Sequence, residues 1–507
     1  MTDSRRALEI SLAYELARRV PRPIDMLEIS AVLESMGITD AVAHEDHDQP
    51  SVFALAERLL PSVRIIAAGQ PAPLEVRREE PPRELVATKM VMTASARGVL
   101  ALLPLLLVAS SMQALAMLGW SSRSVFALSF GLTAAMVLTT GPLLAIARRA
   151  SIYLGFGYRA LAQGFLARSL LTMIVATMAT AAGLFLVLTL LGSFRADDRG
   201  IFAGSLAAFA LLWLLIAGVA IAGSSTLVGI GLFAGLGVGA ATGAASQSVP
   251  LGLAYAYSAS VAFLAAASIW LLTAPNEPGV RVPGLGTTLL EGLAYARYGA
   301  AFGVLLLEPH VLGWLGARGD LTRLSVLTTV ELSFSLALPP LLLATGVLER
   351  AMRSFWPFAQ DRHESETGKR FCASLGGFHR RRQVAYVATV AGFGLIVAAV
   401  FEAAFYAGEL RSADQLVVLA ALTSFLLLAV GQFNCLFLLG FSRPNEAFAA
   451  VAYAVAALTA LGVPLTLVDF RYATVGFLVA CGVFAAVSDR AWTAVCARAD
   501  YHYATAF

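Results

Sequence analysis

Charged side chains are scarce in this 507-residue chain: they make up 14% of it, against 58% apolar residues, and the mean hydropathy is +0.75. A soluble globular protein carries about a quarter charged residues, so a water-exposed chain of this length could not cover its surface with so few. The net charge of +3 and the lack of a long basic tract exclude nucleic acid as a partner. Cysteine is equally sparse. Cys372, Cys435, Cys481 and Cys496 show neither metal-ligand spacing nor a paired framework, so they read as small apolar residues in or beside helices. No glycine-rich phosphate loop, Gly-x-Ser-x-Gly or His-Glu-x-x-His pattern is present. An external metal-binding acid pair is missing too. The first external loop, Gly119 to Arg123, holds no acid, and Asp197 and Asp198 lie between Arg195 and Arg199 in what reads as a solvated turn. These absences imply no cofactor, no metal, no catalytic residue and no enzyme.

What the chain has in abundance is apolar sequence. Runs of about eighteen residues or more recur between Val91 and Trp492, each long enough to cross about 30 Å of hydrocarbon. Backbone groups in lipid must be satisfied within the segment, so such runs are helices. The shorter alternating segments of a β-barrel do not occur. The reading is an all-α polytopic membrane protein of about twelve spans: 92–118, 124–146, 169–193, 201–222, 226–244, 249–273, 298–316, 324–347, 384–408, 415–440, 446–467 and 472–490. A Pro/Gly-rich connector, Pro275 to Thr288, splits them into two groups of six, 89–273 and 298–507, with 274–297 between them. Two groups of near-equal length suggest an internal repeat, a common transporter architecture.

Residues 1–88 form a separate, mildly acidic unit with ten Arg against fifteen Asp plus Glu. Leu8, Leu12 and Leu16 repeat at helical spacing, Asp25 to Met36 reads as a second helix stopped by Gly37, and Thr39 caps a third short one. Ser51 caps a helix that Pro61 is expected to end. A Pro- and Glu-rich linker, Pro71 to Pro82, follows. A charged, helical start of this kind predicts no cleavable signal peptide.

Loop charge sets the expected orientation. With the N-terminus cytoplasmic, fifteen Lys and Arg fall in inner loops and seven in outer ones, which places both termini in the cytoplasm of a bacterial inner membrane. The inner total leans on 349–383. There Phe355, Trp356, Phe358, Phe371, Leu375 and Phe378 interleave with basic residues that include Arg370, Arg380, Arg381 and Arg382. That pattern fits an amphipathic helix lying in the headgroup layer, with membrane lipids as partners, or a charge cluster that only anchors topology.

Ionisable residues inside spans cost about 2.5–3.5 kcal/mol each at mid-helix, so those present are functional candidates. Glu308 and His310 flank Pro309 near the middle of the seventh span, where the proline frees a carbonyl. Glu331, Glu402 and Arg97 lie nearer span ends, and Gln432 and Asn434 make the tenth span polar. Together they form the expected substrate or proton path. Structural pairing within the bundle is the competing reading of Glu308. Gly231, Gly235, Gly239 and Gly243 line one face of the fifth span and predict close helix packing, with a sliding interface as the alternative.

Two stretches carry a family resemblance. One is the seventh and eighth spans, with Tyr298 to Trp314 (YGAAFGVLLLEPHVLGW) and Glu331 to Pro340 (ELSFSLALPP), followed by the amphipathic loop. The other is the last three spans, where the short turn FSRPNE from Phe441 to Glu446 joins two apolar helices. With them the membrane part resembles the polysaccharide-exporter branch of the multidrug/oligosaccharidyl-lipid/polysaccharide (MOP) flippase superfamily, in particular the inner-membrane transporter of the Pel exopolysaccharide system. Residues 1–88 lie outside the resemblance. It implies export or flipping of a glycan or glycolipid by alternating access between two six-helix bundles, without an ATP site. Two other readings stand beside it. One is an unrelated ion-coupled small-molecule or drug transporter. The other is a non-transporting scaffold whose residues 1–88 recruit a cytoplasmic glycosyltransferase or another synthase subunit.

Overall fold

The computed structural model describes residues 9, 11–17, 20, 26–36, 38–69, 122–155, 158–191, 196–222, 225–272, 285–316, 333, 337, 340–341, 343–366, 368–406 and 412–499. The expected spans 92–118 and most of 324–347, with Arg97 and Glu331, lie outside them. Contacts divide the chain into two units, Met1–Ala87 and Thr88–Phe507.

The first unit has its own core. Residues 11–17, α1 (Met26–Ser35), α2 (Asp40–His47) and α3 (Val52–Gly69) are helical. They bury Leu12, Leu16, Ile29, Leu33, Leu55, Leu59 and Val63 together. Two side chains supply acceptors for the open amides that begin α3. The Val52 amide donates to Asp40 Oδ1 at 2.8 Å and that of Ala54 to Ser51 Oγ at 3.3 Å. Thr39 precedes α2 without a side-chain capping bond. Pro61 does not end α3, contrary to the sequence expectation. It lies inside the helix on an exposed face, while the buried stripe Leu55, Leu59 and Val63 continues past it. Burial on both sides of the proline offsets the hydrogen bond it removes, a loss of about 3 kcal/mol in an isolated helix.

This core predicts that residues 1–87 unfold cooperatively when expressed alone. Leu33→Ala should cost about 2–5 kcal/mol, enough to abolish a sigmoidal urea transition in so small a domain. Leu27→Ala, at an exposed position, should leave the transition in place. Equal transitions from both variants would show that the buried cluster is not what holds this unit.

In the second unit the apolar runs become long helices. They are α4 (Ser122–Gly155), α5 (Arg159–Leu191), α6 (Ala196–Ile221), α7 (Ser225–Ser246), α8 (Val249–Leu272), α9 (Leu285–Gly316), α10 (Thr345–Ser365), α11 (Gly368–Tyr406) and α12 (Ser412–Gly440). Then α13 (Pro444–Ala457) runs through a π turn (Leu458–Gly462) into α14 (Val463–Val468), and α15 (Ala473–Cys496) closes the set. There is no strand among the described residues, and nine helices among them are long and apolar enough to cross a membrane. Large apolar side chains stand exposed along α5, including Leu171, Val175, Leu186 and Leu190. Water would penalise such a surface, whereas acyl chains cover it. The chain is a multi-pass membrane protein.

Two expectations are corrected here. Helix α9 begins at Leu285, so the second half of the connector is a helical extension of the seventh span. The aromatic face of 349–383 is turned onto the protein instead of the headgroup layer. Phe355, Phe371, Leu375 and Phe378 are buried in one cluster with Phe437, Phe441 and Trp492. Phe355 meets Phe437 edge-on at 4.9 Å, and Phe441 at 5.4 Å. The segment is therefore a helical pair, α10 and the first part of α11, packed against the ends of α12 and α15.

Candidate functional site

Helix α9 runs unbroken through Pro309. Its acid, Glu308, meets the π turn that joins α13 to α14. Pro464, just after that turn, has no amide with which to continue the helical ladder, and a π turn is one way to absorb the lost register. The turn presents Thr459, whose Oγ1 lies 2.6 Å from Glu308 Oε1 and 2.9 Å from the carbonyl of Val455. The second carboxyl oxygen, Oε2, is buried and without a hydrogen-bond partner among the described residues. Gly462 lets α9 approach the turn, and Gly476 on α15 lets that helix approach it as well. A Cβ at Gly462 would stand 2.8 Å from Leu312 Cδ1, and one at Gly476 only 2.7 Å from the Gly462 Cα.

The pair supports two hydrogen-bond arrangements. A threonine hydroxyl has one proton to give. With Glu308 ionised, Thr459 donates to the carboxylate and the Val455 carbonyl goes without. With Glu308 protonated, the acid donates to Thr459 Oγ1 and the hydroxyl turns to Val455. Charge on Glu308 is thereby tied to which partner the π turn satisfies.

The other candidates fall elsewhere. Gln383 Nε2 on α11 donates to Asn434 Oδ1 on α12 at 2.8 Å, and Asn434 Nδ2 donates to Ser488 Oγ on α15 at 3.3 Å. Tyr386 OH donates to Gln432 Oε1 at 3.3 Å. His379 lies beside this set, buried and stacked on Trp492 with centroids 4.4 Å apart. Glu402 accepts from Gln415 Nε2 at 3.1 Å, across the connection between α11 and α12. None of these bonds joins Glu308 to Gln432, Asn434 or Glu402. His310 lies in α9, and its side chain falls outside the described residues. Sequence reasoning missed Thr459, Gln383, Tyr386, His379 and Ser488. Of these, Gln383 carries a signal that could have found it, a polar residue directly before the span that begins at Val384.

Asp198 is also reassigned. It is not part of a solvated turn but is buried in the first turn of α6, where Ser124 Oγ donates to its Oδ1 at 3.3 Å. A carboxylate there suits the positive end of the helix.

The glycines of α7 face α8. A Cβ at Gly231 would stand 2.6 Å from Phe263 Cδ1, one at Gly239 2.6 Å from the Gly252 carbonyl oxygen, and one at Gly243 3.5 Å from the Gly252 Cα. At Gly235 it would run into Ser260 Oγ and the carbonyl of Ala256. Tyr257 OH donates to the Ala208 carbonyl and ties α8 to α6. Gly235→Val should therefore lower the melting temperature of the detergent-solubilised protein by several degrees, corresponding to about 1–3 kcal/mol of overpacking. Gly237→Val, at a position whose Cβ meets nothing within 4 Å, should leave it unchanged.

The two halves meet along α4 and α9. A Cβ at Gly299 would stand 2.9 Å from both the Gly141 Cα and the Thr140 carbonyl oxygen, and one at Gly292 would stand 2.8 Å from Ala145 Cβ. At the end of this crossing Arg148 donates to Ser442 Oγ at 3.3 Å and lies over the Tyr295 ring, while Arg297 donates to Asn445 Oδ1 at 3.1 Å. Four of the basic residues singled out above lie on α11. Arg370, Arg380 and Arg381 are exposed, and Arg382 lies over the Phe378 ring at 5.4 Å.

Comparison with known proteins places this geometry. No protein-family model matches the chain, and no curated protein matches it. Solved structures do. A MATE transporter in a bent conformation aligns at a TM-score of 0.54 with 15% identity, covering 83% of this chain and 97% of that one. An outward-facing multidrug resistance MATE family transporter of the MOP superfamily aligns at 0.51 with 15% identity, covering 82% and 97%. A MOP superfamily transporter from Pyrococcus furiosus, described as having a binding pocket of reversed polarity, aligns at 0.50 with 14% identity, covering 81% and 96%. The chain has the fold of the MATE transporters of the MOP superfamily.

Proposed function

We propose that the chain is a membrane transporter of the alternating-access type, and that it exports or flips a polysaccharide or lipid-linked glycan. The observation that carries the transport reading is the contact between Glu308 and Thr459. It sets a carboxyl group with one uncommitted oxygen on α9, the same helix whose other end crosses α4 of the opposite half. An acid in that position has a route to couple its charge to the relative movement of the two halves. The motifs of the seventh and eighth spans and of the Phe441 to Glu446 turn support the glycan as cargo, through their resemblance to the Pel-type exporters. In this reading both termini face the cytoplasm of the inner membrane, and the chain performs no covalent chemistry.

A second reading is an ion-coupled transporter of small molecules or drugs. It is favoured by a solved structure of this fold described as a multidrug resistance transporter. Purified protein in proteoliposomes separates the two. Translocation of a fluorescent lipid-linked oligosaccharide, without uptake of a cationic dye, supports the glycan. Dye uptake alone transfers the function to the second reading, and no movement of either leaves a scaffold role.

A further inference from the structure

We infer that Arg380 and Arg381 form a site for anionic phospholipid headgroups on the outer face of α11, whatever the transported cargo. The helix shows one continuous exposed face. Its upper part carries Val384, Ala388, Gly392, Leu395, Ile396 and Val400, with Val384 60% and Leu395 71% exposed. In a bilayer such side chains lie against acyl chains. The same face then turns basic at Arg381 and Arg380. At 1.5 Å per residue Arg380 lies about 6 Å beyond Val384, and the headgroup layer on each side of a bilayer is about 5–7 Å deep. Arg370 and Lys369 are about 15 Å further along the axis, past that layer. Depth therefore separates two arginines that meet lipid phosphate from two basic residues that meet water.

The local chemistry fits. Among the described residues Arg380 forms no ion pair, and Arg381 gives only its Nε to the Gly377 carbonyl, at 3.2 Å. Its terminal nitrogens remain for a phosphate, which guanidinium binds through paired donors. The nearby acid Glu366 belongs to Arg362, 2.8 Å away at the far end of α10. A Cβ built at Gly377, on the exposed face one turn below Arg381, meets nothing within 4 Å. The space under the two arginines is open to a headgroup.

Native mass spectrometry of the full-length protein, released from mixed phosphatidylglycerol and phosphatidylcholine, tests this. Wild type should retain phosphatidylglycerol over phosphatidylcholine by about tenfold. R380Q/R381Q should lose that preference, while K369Q/R370Q should keep it. R380K/R381K, which keeps the charge, should retain part of it. The single variants R380Q and R381Q, each expected to lower the preference severalfold, serve if the double variant fails to fold. No preference in wild type, an unchanged preference in R380Q/R381Q or in both single variants, or an equal loss in K369Q/R370Q would overturn the site.

Discussion

Glu308→Gln is expected to bring transport in proteoliposomes below about a tenth of the wild-type rate, while the protein still inserts and melts normally. Glutamine keeps the size of the side chain and an oxygen that accepts from Thr459, so the contact between α9 and the π turn survives. What it loses is the ability to carry a charge or exchange a proton. The exchange between the two hydrogen-bond arrangements at Thr459 and Val455 then has nothing to drive it. Thr459→Val should slow transport less, because the acid remains although its switchable partner is gone. Measuring initial rates across a range of pH separates the roles. The glutamine variant should show a flat profile, the valine variant a displaced one. Wild-type rates from Glu308→Gln at every pH would remove the acid from the mechanism.

Gly299→Val should be nearly as damaging by a different route. Its Cβ would lie 2.9 Å from the backbone of both Thr140 and Gly141. Backbone atoms cannot rotate away as a side chain does, so α4 and α9 must separate. The cost is about 1–3 kcal/mol of overpacking, and the separation also pulls on Arg148 and Ser442 at the end of the crossing. Thermal unfolding in detergent should show the loss of stability, and proteoliposomes a severe loss of transport. Gly303→Ala is the contrast. Its Cβ would stand 3.5 Å from the Val137 Cα, an ordinary contact, and it should behave as wild type. If Gly299→Val transports normally, the crossing is not part of the working cycle.

Most of the membrane architecture could be read in advance because lipid imposes a length on every apolar run. Described helices overlie ten of the expected spans, with ends that overshoot, as in α9 and α11, wherever the helix outlasts its greasy part. The errors came from partners remote in sequence. Phe355, Phe371 and Phe378 look like a lipid-facing stripe until Phe437 and Trp492, tens of residues away, are brought over them. Pro61 reads as a stop because local rules cannot weigh the burial of Leu55 and Leu59 before it and Val63 after it. Asp198 looks solvated beside Arg199, and only folding brings Ser124 to it. Glu308 stood out as an acid among leucines. Thr459 did not, since one threonine among alanines and leucines is commonplace and a π turn leaves little mark beyond the proline that follows it.

The glycine face of α7 also bears on how the protein is made. Its partner α8 follows after only Gln247 and Ser248, so the two helices can zip together soon after the second leaves the ribosome, before any later span has emerged. Such a hairpin would enter the bilayer from the insertion machinery as one preassembled wedge. A bulky residue at Gly235 would then betray itself during biogenesis, as nascent chains diverted to quality-control proteolysis, ahead of any defect in the finished protein.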